Sequence, residues 1–187
     1  MKYRDSMRQL MVLFLLSLIC FSACKRKQSD ILADIDKNVT EINNKKKDYT
    51  VKQADDIMSV VNGKITGYYR DNEIKKVSWE NYTDSCRTFT DYYFDDGMLL
   101  FIMKQNFVYN KPRTYTEEKA KENNDTVWYD DKKTKMEINR YYFDKNKLIK
   151  WLNEDNTDVP VNTAEFINRQ YDLWAEIKIL IGELKEQ

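Results

Sequence analysis

Three segments of the chain share one pattern of apolar and polar positions. They are residues 68–79, 92–103 and 141–152, and each begins with a pair of tyrosines, continues through a short Asp, Asn or Gly group and ends in an apolar run. Asp, Asn and Gly tolerate the positive φ that tight hairpin turns need, whereas Tyr, Phe, Ile and Trp suit a half-buried pleated surface. The pattern predicts three β-hairpins of one repeated design.

The strand pattern around these turns predicts one antiparallel sheet. Residues 87–94 alternate Phe89 and Tyr93 against Thr and Tyr positions, as a strand with two different faces does. Residues 98–103 are apolar throughout, which predicts a strand in the middle of the sheet, covered on both sides. Residues 49–63 fit either a short helix or an extended edge. We therefore expect a meander of about six strands.

An amphipathic helix is predicted ahead of the sheet. Ser29 or Asp30 suits its N-cap. Its apolar positions recur at helical spacing, at Ile31, Leu32, Ile35, Val39 and Ile42. Such a stripe either packs on the sheet of the same chain or docks a partner, and its short length favours the first alternative.

A second predicted helix closes the chain and has a wider apolar face. Asn162 is its expected N-cap, with Glu165 three residues on in the position of a capping box. The apolar positions are Phe166, Ile167, Leu173, Trp174, Ile177, Leu180, Ile181 and Leu184. So wide a face needs a large apolar partner, and we expect this helix to cover the sheet.

These elements predict an α+β fold in a single domain, residues 30–187. Its expected architecture is an antiparallel β-meander of about six strands, built from repeated hairpins, packed against a long C-terminal helix and preceded by an N-terminal helix. The first tyrosines of the three hairpins lie 24 and 49 residues apart, which indicates that an insertion at about residues 110–135 replaces one unit. Within it, Trp128 and Tyr129 either tuck the loop onto the sheet or form an exposed contact patch.

The first 23 residues have the pattern of a secretory signal. Three basic residues precede an apolar run at residues 10–21. This run is too short for a bilayer-spanning helix, which needs about 20 residues, and has the length of a signal-peptide core. We expect residues 1–23 to be removed and residues 24–29 to form a tether.

The end of this signal resembles the lipobox of bacterial lipoprotein precursors. Phe21, Ser22 and Ala23 place an apolar residue and two small residues directly before Cys24. The resemblance implies that Cys24 is lipidated: its sulfur receives a diacylglyceryl thioether, the signal is cut before it and the new amine is acylated, typically with palmitate. It also implies a membrane-anchored protein of the cell envelope, and Lys25 after the cysteine implies sorting to the outer membrane.

The composition limits the chemistry that the chain can perform. Lys+Arg and Asp+Glu each number 31, so no charge excess indicates a nucleic acid partner. The chain has no histidine, which excludes Ser-His-Asp and Cys-His nucleophile systems. Because Cys24 is expected to be acylated, Cys86 remains without a disulfide partner in the mature chain. The four glycines are too scattered to cradle a phosphate, and residues 154–158 lack the glycine and terminal glutamate of a calcium loop, so we expect no cofactor and no metal.

The hairpin pattern has a resemblance of its own. The Tyr-Tyr-Phe-Asp-x-Gly-x-Leu run at residues 92–99 is similar to β-hairpin repeat families such as the MORN-like repeats. Residues 68–152 as a whole look like small uncharacterised bacterial envelope lipoproteins with a helix, a meander and a closing helix. Neither resemblance implies catalytic residues.

The tyrosine pairs are the remaining functional signal. Neighbouring strand residues face opposite ways, so each pair sends one ring inward and one outward. Tyr92 and Tyr141 are the candidate binding residues if the outward rings align as an aromatic ridge, and the alternative is cross-strand packing beneath helices. We therefore expect a non-catalytic envelope lipoprotein that binds a protein or a glycan. The alternatives are a carbohydrate-active enzyme with paired carboxylates and an inhibitor or immunity-type protein.

Overall fold

Seven antiparallel strands form one sheet in the order of the chain. The structure is a computed structural model that describes residues 26–57 and 59–186. The strands are Thr50–Asp56 (β1), Gly63–Arg70 (β2), Glu73–Tyr82 (β3), Cys86–Asp95 (β4), Met98–Val108 (β5), Lys135–Asp144 (β6) and Lys147–Leu152 (β7). The predicted α+β fold with an antiparallel meander is confirmed, with one strand more than the expected number of about six. The additional strand is β1, so residues 49–63 begin as an extended edge and not as a helix.

Three α-helices accompany the sheet in the described part of the chain. They are Gln28–Asn44 (α1), Glu117–Glu122 (α2) and Ala164–Lys185 (α3), and short 3-10 turns occur at Lys46–Asp48 and Asp131–Lys133. None of the helices among the described residues is both long enough and apolar enough to cross a membrane. Helix α1 begins at Gln28, within the segment predicted as a tether, residues 24–29, of which the structure describes residues 26–29.

The chain divides into two compact units after Ile31. Of the first unit the structure describes residues 26–31, where the amides of Asp30 and Ile31 both donate to the carbonyl oxygen of Lys27. The second unit, Leu32–Gln187, contains the whole sheet, α2, α3 and the rest of α1.

Each of the three repeated hairpins, β2–β3, β4–β5 and β6–β7, closes with a two-residue turn in which both residues have positive φ. The pairs are Asp71 and Asn72 (53° and 63°), Asp96 and Gly97 (47° and 71°), and Lys145 and Asn146 (49° and 66°). Positive φ at both central residues is the signature of the type I′ turn, whose twist matches that of the flanking strands. The predicted Asp, Asn and Gly groups are therefore confirmed as hairpin turns.

The three hairpins also share a shift of register three residues before the turn. It falls between Tyr68 and Tyr69, between Tyr93 and Phe94, and between Tyr142 and Phe143. Equivalent positions are therefore 25 and 49 residues apart. The predicted repeat is confirmed, but its first unit was aligned one residue too late, since Gly67 is the counterpart of Tyr92 and Tyr141.

Helix α3 covers one face of the sheet, as predicted. Its N-cap is Thr163, whose hydroxyl accepts a hydrogen bond from the Phe166 amide, and not Asn162. The buried residues of α3 are Phe166, Leu173, Ile177, Leu180 and Leu184. A cross-strand row on this face consists of Gly67, Val77, Tyr92, Ile102, Tyr141 and Trp151. A Cβ atom at Gly67 would lie 2.8 Å from the Tyr69 ring and 2.9 Å from Cδ1 of Leu184, so the glycine makes room for both this ring and the helix.

Residues 32–44 of α1 lie on the opposite face of the sheet. Ile35 and Ile42 are buried there, and the Asn43 side chain donates to the Tyr93 hydroxyl at 3.2 Å. The cross-strand row on this side consists of Tyr68, Lys76, Tyr93, Phe101 and Tyr142. This row lies close to the hairpin turns, and the rows farther from the turns carry partly exposed side chains.

The predicted insertion is an ordered connection between β5 and β6. It contains α2, whose Ala120 is completely buried. Tyr129 packs edge-on against Tyr109 with ring centroids 5.5 Å apart, which tucks the loop onto the fold. Trp128 keeps 39% of its surface exposed. Tyr129 therefore tucks the loop onto the fold, as one alternative predicts, and Trp128 remains partly exposed, as the other predicts.

Candidate binding surface

The structure places Tyr92 and Tyr141, the predicted binding residues, in the core. Their exposed fractions are 0% and 2%, and both belong to the row that faces α3. The apolar face of α3 needs a large partner, and these two rings supply part of it. The interpretation of Tyr92 and Tyr141 as an exposed ridge is thus wrong, and the packing alternative describes them.

Tyr92 is part of a polar cluster that joins α3 to the sheet. Its hydroxyl donates to Oε1 of Glu176, while Nζ of Lys104 donates to Oε2 of the same carboxylate at 3.0 Å. Burial raises the pKa of the Tyr92 hydroxyl well above its ordinary value, and the negative charge of Glu176 adds to the rise. Because Tyr92 stays protonated and Glu176 has a counter-ion, the cluster is satisfied internally and leaves no group free for a ligand.

The tyrosines that point the other way do form an aromatic row, but α1 lies over it. Phe101 packs against Tyr93 and Tyr142 with centroid distances of 5.9 and 4.9 Å. Tyr93 is only 2% exposed, and burial together with the charge of Asp91 raises its pKa. The alternation of each tyrosine pair was therefore predicted correctly, although helices cover both sides where the pairs lie.

A second aromatic group lies on the same face as α1, near the strand ends that are remote from the hairpin turns. We call it the open aromatic face and define it by Tyr82, Arg87, Phe89, Phe107 and Met136. Four of these residues form one cross-strand row over β3 to β6, and Phe89 lies in the next row. The aromatic and arginine side chains are half-buried, and Met136 is 56% exposed.

The side chains of the open aromatic face hold one another in place. Tyr82 packs edge-on against Phe89 at 6.2 Å, and Phe89 packs edge-on against Phe107 at 5.7 Å, with interplanar angles of 83° and 88°. The Arg87 guanidinium lies 4.6 Å from the centroid of Phe107. Perpendicular rings and a covered ring face do not make a flat platform for a sugar ring. The surface instead offers edges and gaps into which apolar side chains of a protein fit.

A cleft of about 480 Å³ adjoins this face at Tyr82. It is lined by Val61, Asn62, Tyr82, Thr83, Asp84, Arg113 and Thr114. The loop between β1 and β2 forms one wall, fixed by a hydrogen bond from the Val60 amide to the Tyr82 carbonyl oxygen. Ile57, Val60 and Val61 in this loop are 79%, 62% and 59% exposed. The open aromatic face thus continues into an exposed apolar loop.

Carboxylates of the described residues make hydrogen bonds and ion pairs within the fold. Asp56 accepts hydrogen bonds from Trp79 and Asn81 at 2.8 and 2.7 Å. Asp91 accepts from Ser78 and pairs with Lys76. In the part of the chain that the structure describes, no group of three or more acidic, histidine or cysteine residues could hold a metal ion. Asp56 and Asp91 are therefore already bound to groups of the same chain.

The residues of the open aromatic face had weak signals in the sequence. Phe89 was recognised as part of the second face of its strand, but Phe107 follows three polar residues and Met136 precedes a glutamate. Residues on different strands are neighbours in the sheet but lie far apart in the chain, so they form no pattern that the sequence shows. The predicted lipidation site, Cys24, lies outside the described residues.

Comparison with known protein families, curated proteins and solved structures finds no match to this chain. Its function is therefore inferred from its own residues and their geometry.

Proposed function

We propose that this chain is a non-catalytic binding module of a bacterial cell envelope, anchored by acyl chains on Cys24, and that it docks a partner protein on the open aromatic face. The observation that carries the proposal is a rigid cluster of aromatic, arginine and methionine side chains on the part of the sheet farthest from α1. An apolar patch on a protein surface that is rimmed by polar residues is typical of an interaction site.

The composition of this face supports a protein partner. Interface centres are enriched in aromatic residues, Met and Arg, and depleted in Lys, Glu and Asp. Tyr82, Arg87, Phe89, Phe107 and Met136 all belong to the enriched types. Because the strands fix their positions, little side-chain entropy is lost when a partner binds.

The anchor is supported by the signal pattern that ends at Cys24. Two or three acyl chains exceed what stable membrane attachment needs, since one chain gives only marginal binding. We expect the Cys24→Ala variant, expressed in a bacterium, to lose acyl labelling and to leave the membrane fraction. Unchanged membrane association would show that the anchor is wrong.

Photocrosslinking in cells tests the docking surface. A photoreactive phenylalanine analogue replaces Met136, and a control variant carries it at Tyr171, which is 66% exposed on α3. We expect a discrete protein adduct from position 136 only, and its loss when Phe107→Asp is added. Equal adducts from both positions would contradict the proposal, and an adduct that glycosidases but not proteases remove would make the partner a glycan.

The carbohydrate-active alternative has a separate test. The purified chain is incubated with polysaccharides and peptidoglycan fragments, and we expect no products. Reproducible cleavage that depends on two carboxylates would replace the binding proposal. An inhibitor or immunity-type role would appear in the crosslinking experiment as a secreted toxin or enzyme in the adduct.

A further inference from the structure

Arg87 is a cation without a counter-ion in the middle of the open aromatic face. Its Nε atom is buried and has no hydrogen-bond partner among the described residues, and no ion pair of the described residues includes its guanidinium. Its guanidinium lies over the Phe107 ring, with Cζ 4.6 Å from the ring centroid, and this contact restricts its position. A guanidinium held in this way presents its remaining donors in the geometry that matches a carboxylate.

The charges around Arg87 leave this position open. Glu80 is the acidic residue one row closer to α1, and it accepts a hydrogen bond from the Tyr82 hydroxyl at 3.3 Å. Glu80 lies on the same strand as Tyr82, two residues before it, and its carboxylate forms no ion pair with Arg87. Tyr82, directly opposite Arg87, is neutral, and so are Phe107 and Met136. A partner therefore meets a positive group flanked in its own row by neutral side chains, with the Glu80 carboxylate one row away.

The width of the uncovered part of the sheet fits one helix. Helix α1 lies over the row that contains Tyr93, and Phe89 and Arg87 are four and six residues away along β4. At about 3.4 Å per residue, these rows are about 14 and 20 Å from that row. Packed helices lie about 8 to 10 Å apart, and a helix is about 10 Å wide. A second helix centred over Phe89 lies about 14 Å from the Tyr93 row, which leaves room for it beside α1. The edge of this helix reaches the row of Phe107 and Tyr82, which is about 6 Å further along the strands.

We propose that the open aromatic face receives an amphipathic α-helix of the partner protein, which packs beside α1 and places a carboxylate on Arg87. This inference rests on the proposed function and specifies the chemistry of the partner. The apolar stripe of the helix contacts the three rings and Met136, and a Glu or Asp at the edge of that stripe supplies the missing counter-ion. The charge pair selects the partner and its direction, whereas the rings provide most of the contact area.

A displayed peptide library tests the inference without knowledge of the partner. The full chain, purified in detergent, selects from a phage library of helical peptides of about 20 residues, with prior removal of phages that bind Phe107→Asp. We expect selected peptides with apolar residues at i, i+3 or i+4 and i+7 and one acidic residue at a constant place beside this stripe. Arg87→Gln should weaken their binding about 10- to 100-fold, and Arg87→Lys should restore only part of it.

The matched control is Arg113→Gln, which removes an exposed arginine in the adjoining cleft and should change binding less than threefold. If Arg87→Gln lowers the melting temperature, the charge swap decides: Arg87→Glu should bind a peptide whose acidic residue is changed to Lys, and reject the parent peptide. Peptides that bind Arg87→Gln as tightly as the natural chain, or that have no helical periodicity, would overturn the inference.

The failure of this inference can be separated from the failure of the proposed function. If the crosslink at position 136 forms but selection yields only extended or non-acidic peptides, the docking surface stands and the helix with its carboxylate does not. If neither a crosslink nor a selected peptide appears, both are wrong. A chain that dimerises in sedimentation experiments and loses the dimer with Phe107→Asp would show that the occupant is a second copy, which also overturns the inference.

Discussion

Buried tyrosine hydroxyls connect the stability of this fold to alkaline pH. Burial raises the pKa of Tyr141 to about 12, and burial also raises the pKa values of Tyr92 and Tyr93. In the unfolded chain each would ionise near pH 10. A raised pKa in the folded state means that the protonated form stabilises the fold, so this contribution is complete below pH 10 and is lost as the pH rises towards 12.

We expect the free energy of unfolding to fall steeply above pH 10. Each pH unit between the two values removes about 1.4 kcal/mol per group, so Tyr141 alone accounts for about 2 to 3 kcal/mol. Tyr141→Phe should remove this part of the slope and change stability at pH 8 by no more than about 1 kcal/mol. Urea unfolding at pH 8, 10 and 11.5 measures both effects. Tyr171→Phe, at an exposed position, is the control and should keep the natural slope. Identical slopes for the natural chain and Tyr141→Phe would contradict the assignment.

The third hairpin turn contains a residue that is poorly suited to its backbone conformation. Lys145 has a φ of 49° and an exposed side chain, and a left-handed conformation costs a residue with a Cβ about 1 kcal/mol. Lys145→Asn should stabilise the chain by about 0.5 to 1 kcal/mol, since Asn tolerates this conformation. Thermal unfolding measures the gain.

The other turn residue provides the contrast to Lys145. Asn146 has a φ of 66°, and its side-chain oxygen accepts a hydrogen bond from the Leu99 amide at 2.9 Å. Asn146→Ala loses this bond and adds strain, so we expect destabilisation by about 2 kcal/mol. A stabilising effect of Asn146→Ala, or a destabilising effect of Lys145→Asn, would show that turn conformation does not limit stability here.

The tyrosine pairs show how far the sequence predicts the direction of single side chains. Alternation correctly places the two rings of each pair on opposite faces. It cannot say which face a given helix covers, because both faces of this sheet are aromatic near the turns. The sequence therefore left both an exposed ridge and packing beneath a helix open for Tyr92 and Tyr141, and the structure places both rings under α3.

At the scale of elements, Glu176 is the main polar link between α3 and the sheet. Its carboxylate binds Lys104 of β5 and the hydroxyl of Tyr92 of β4. Glu176→Ala leaves a mostly buried ammonium without a counter-ion and a buried hydroxyl without an acceptor, for which we expect a loss of about 2 to 4 kcal/mol in urea unfolding. Glu176→Gln keeps an acceptor oxygen and should lose less.

The control for the Glu176 variants lies on the same helix. Lys178 is exposed, and Lys178→Ala should change the free energy of unfolding by no more than about 0.5 kcal/mol. A similarly small effect for Glu176→Ala would mean that water replaces the carboxylate and that α3 is held by its apolar residues alone.

Periodicity predicted the elements well because most of them alternate clearly between buried and exposed positions. The hairpins and both long helices follow from repeated local patterns. The register of the first hairpin does not follow from a local pattern, because Gly67 occupies the place where the other two repeats have tyrosine. The close approach of the Tyr69 ring and of Leu184 explains the glycine. Strand β1 was ambiguous since just two of its residues, Ala54 and Asp56, are buried.

At the scale of the whole molecule, the two faces of the sheet are covered unequally. Five residues of α3 are buried, whereas two residues of α1, Ile35 and Ile42, are buried. The open aromatic face exists because α1 spans only the rows near the hairpin turns. Its position could not be predicted from the sequence, since it depends on where a helix crosses strands that lie far apart in the chain.

This inequality predicts different results when either helix is removed. Burial of one large apolar side chain contributes about 1.5 to 3 kcal/mol, so the five residues of α3 contribute about 8 to 15 kcal/mol and the two of α1 about 3 to 6 kcal/mol. A domain of this size is stable by about 5 to 15 kcal/mol. A chain that ends at Val161 should therefore not fold, whereas a chain that begins at Tyr49 should fold cooperatively with reduced stability.

Circular dichroism and urea unfolding distinguish these results, with a chain that begins at Arg26 as the reference. The variant without α1 should also bind a hydrophobic dye, because Tyr93 and Phe101 lose their cover. A folded chain without α3 would mean that the sheet has another source of stability. An unfolded chain without α1 would mean that the aromatic row beneath this helix contributes more to stability than the two buried isoleucines of α1 indicate. A partner helix docked beside α1, on Phe89 and Phe107, would then also stabilise the fold when it binds.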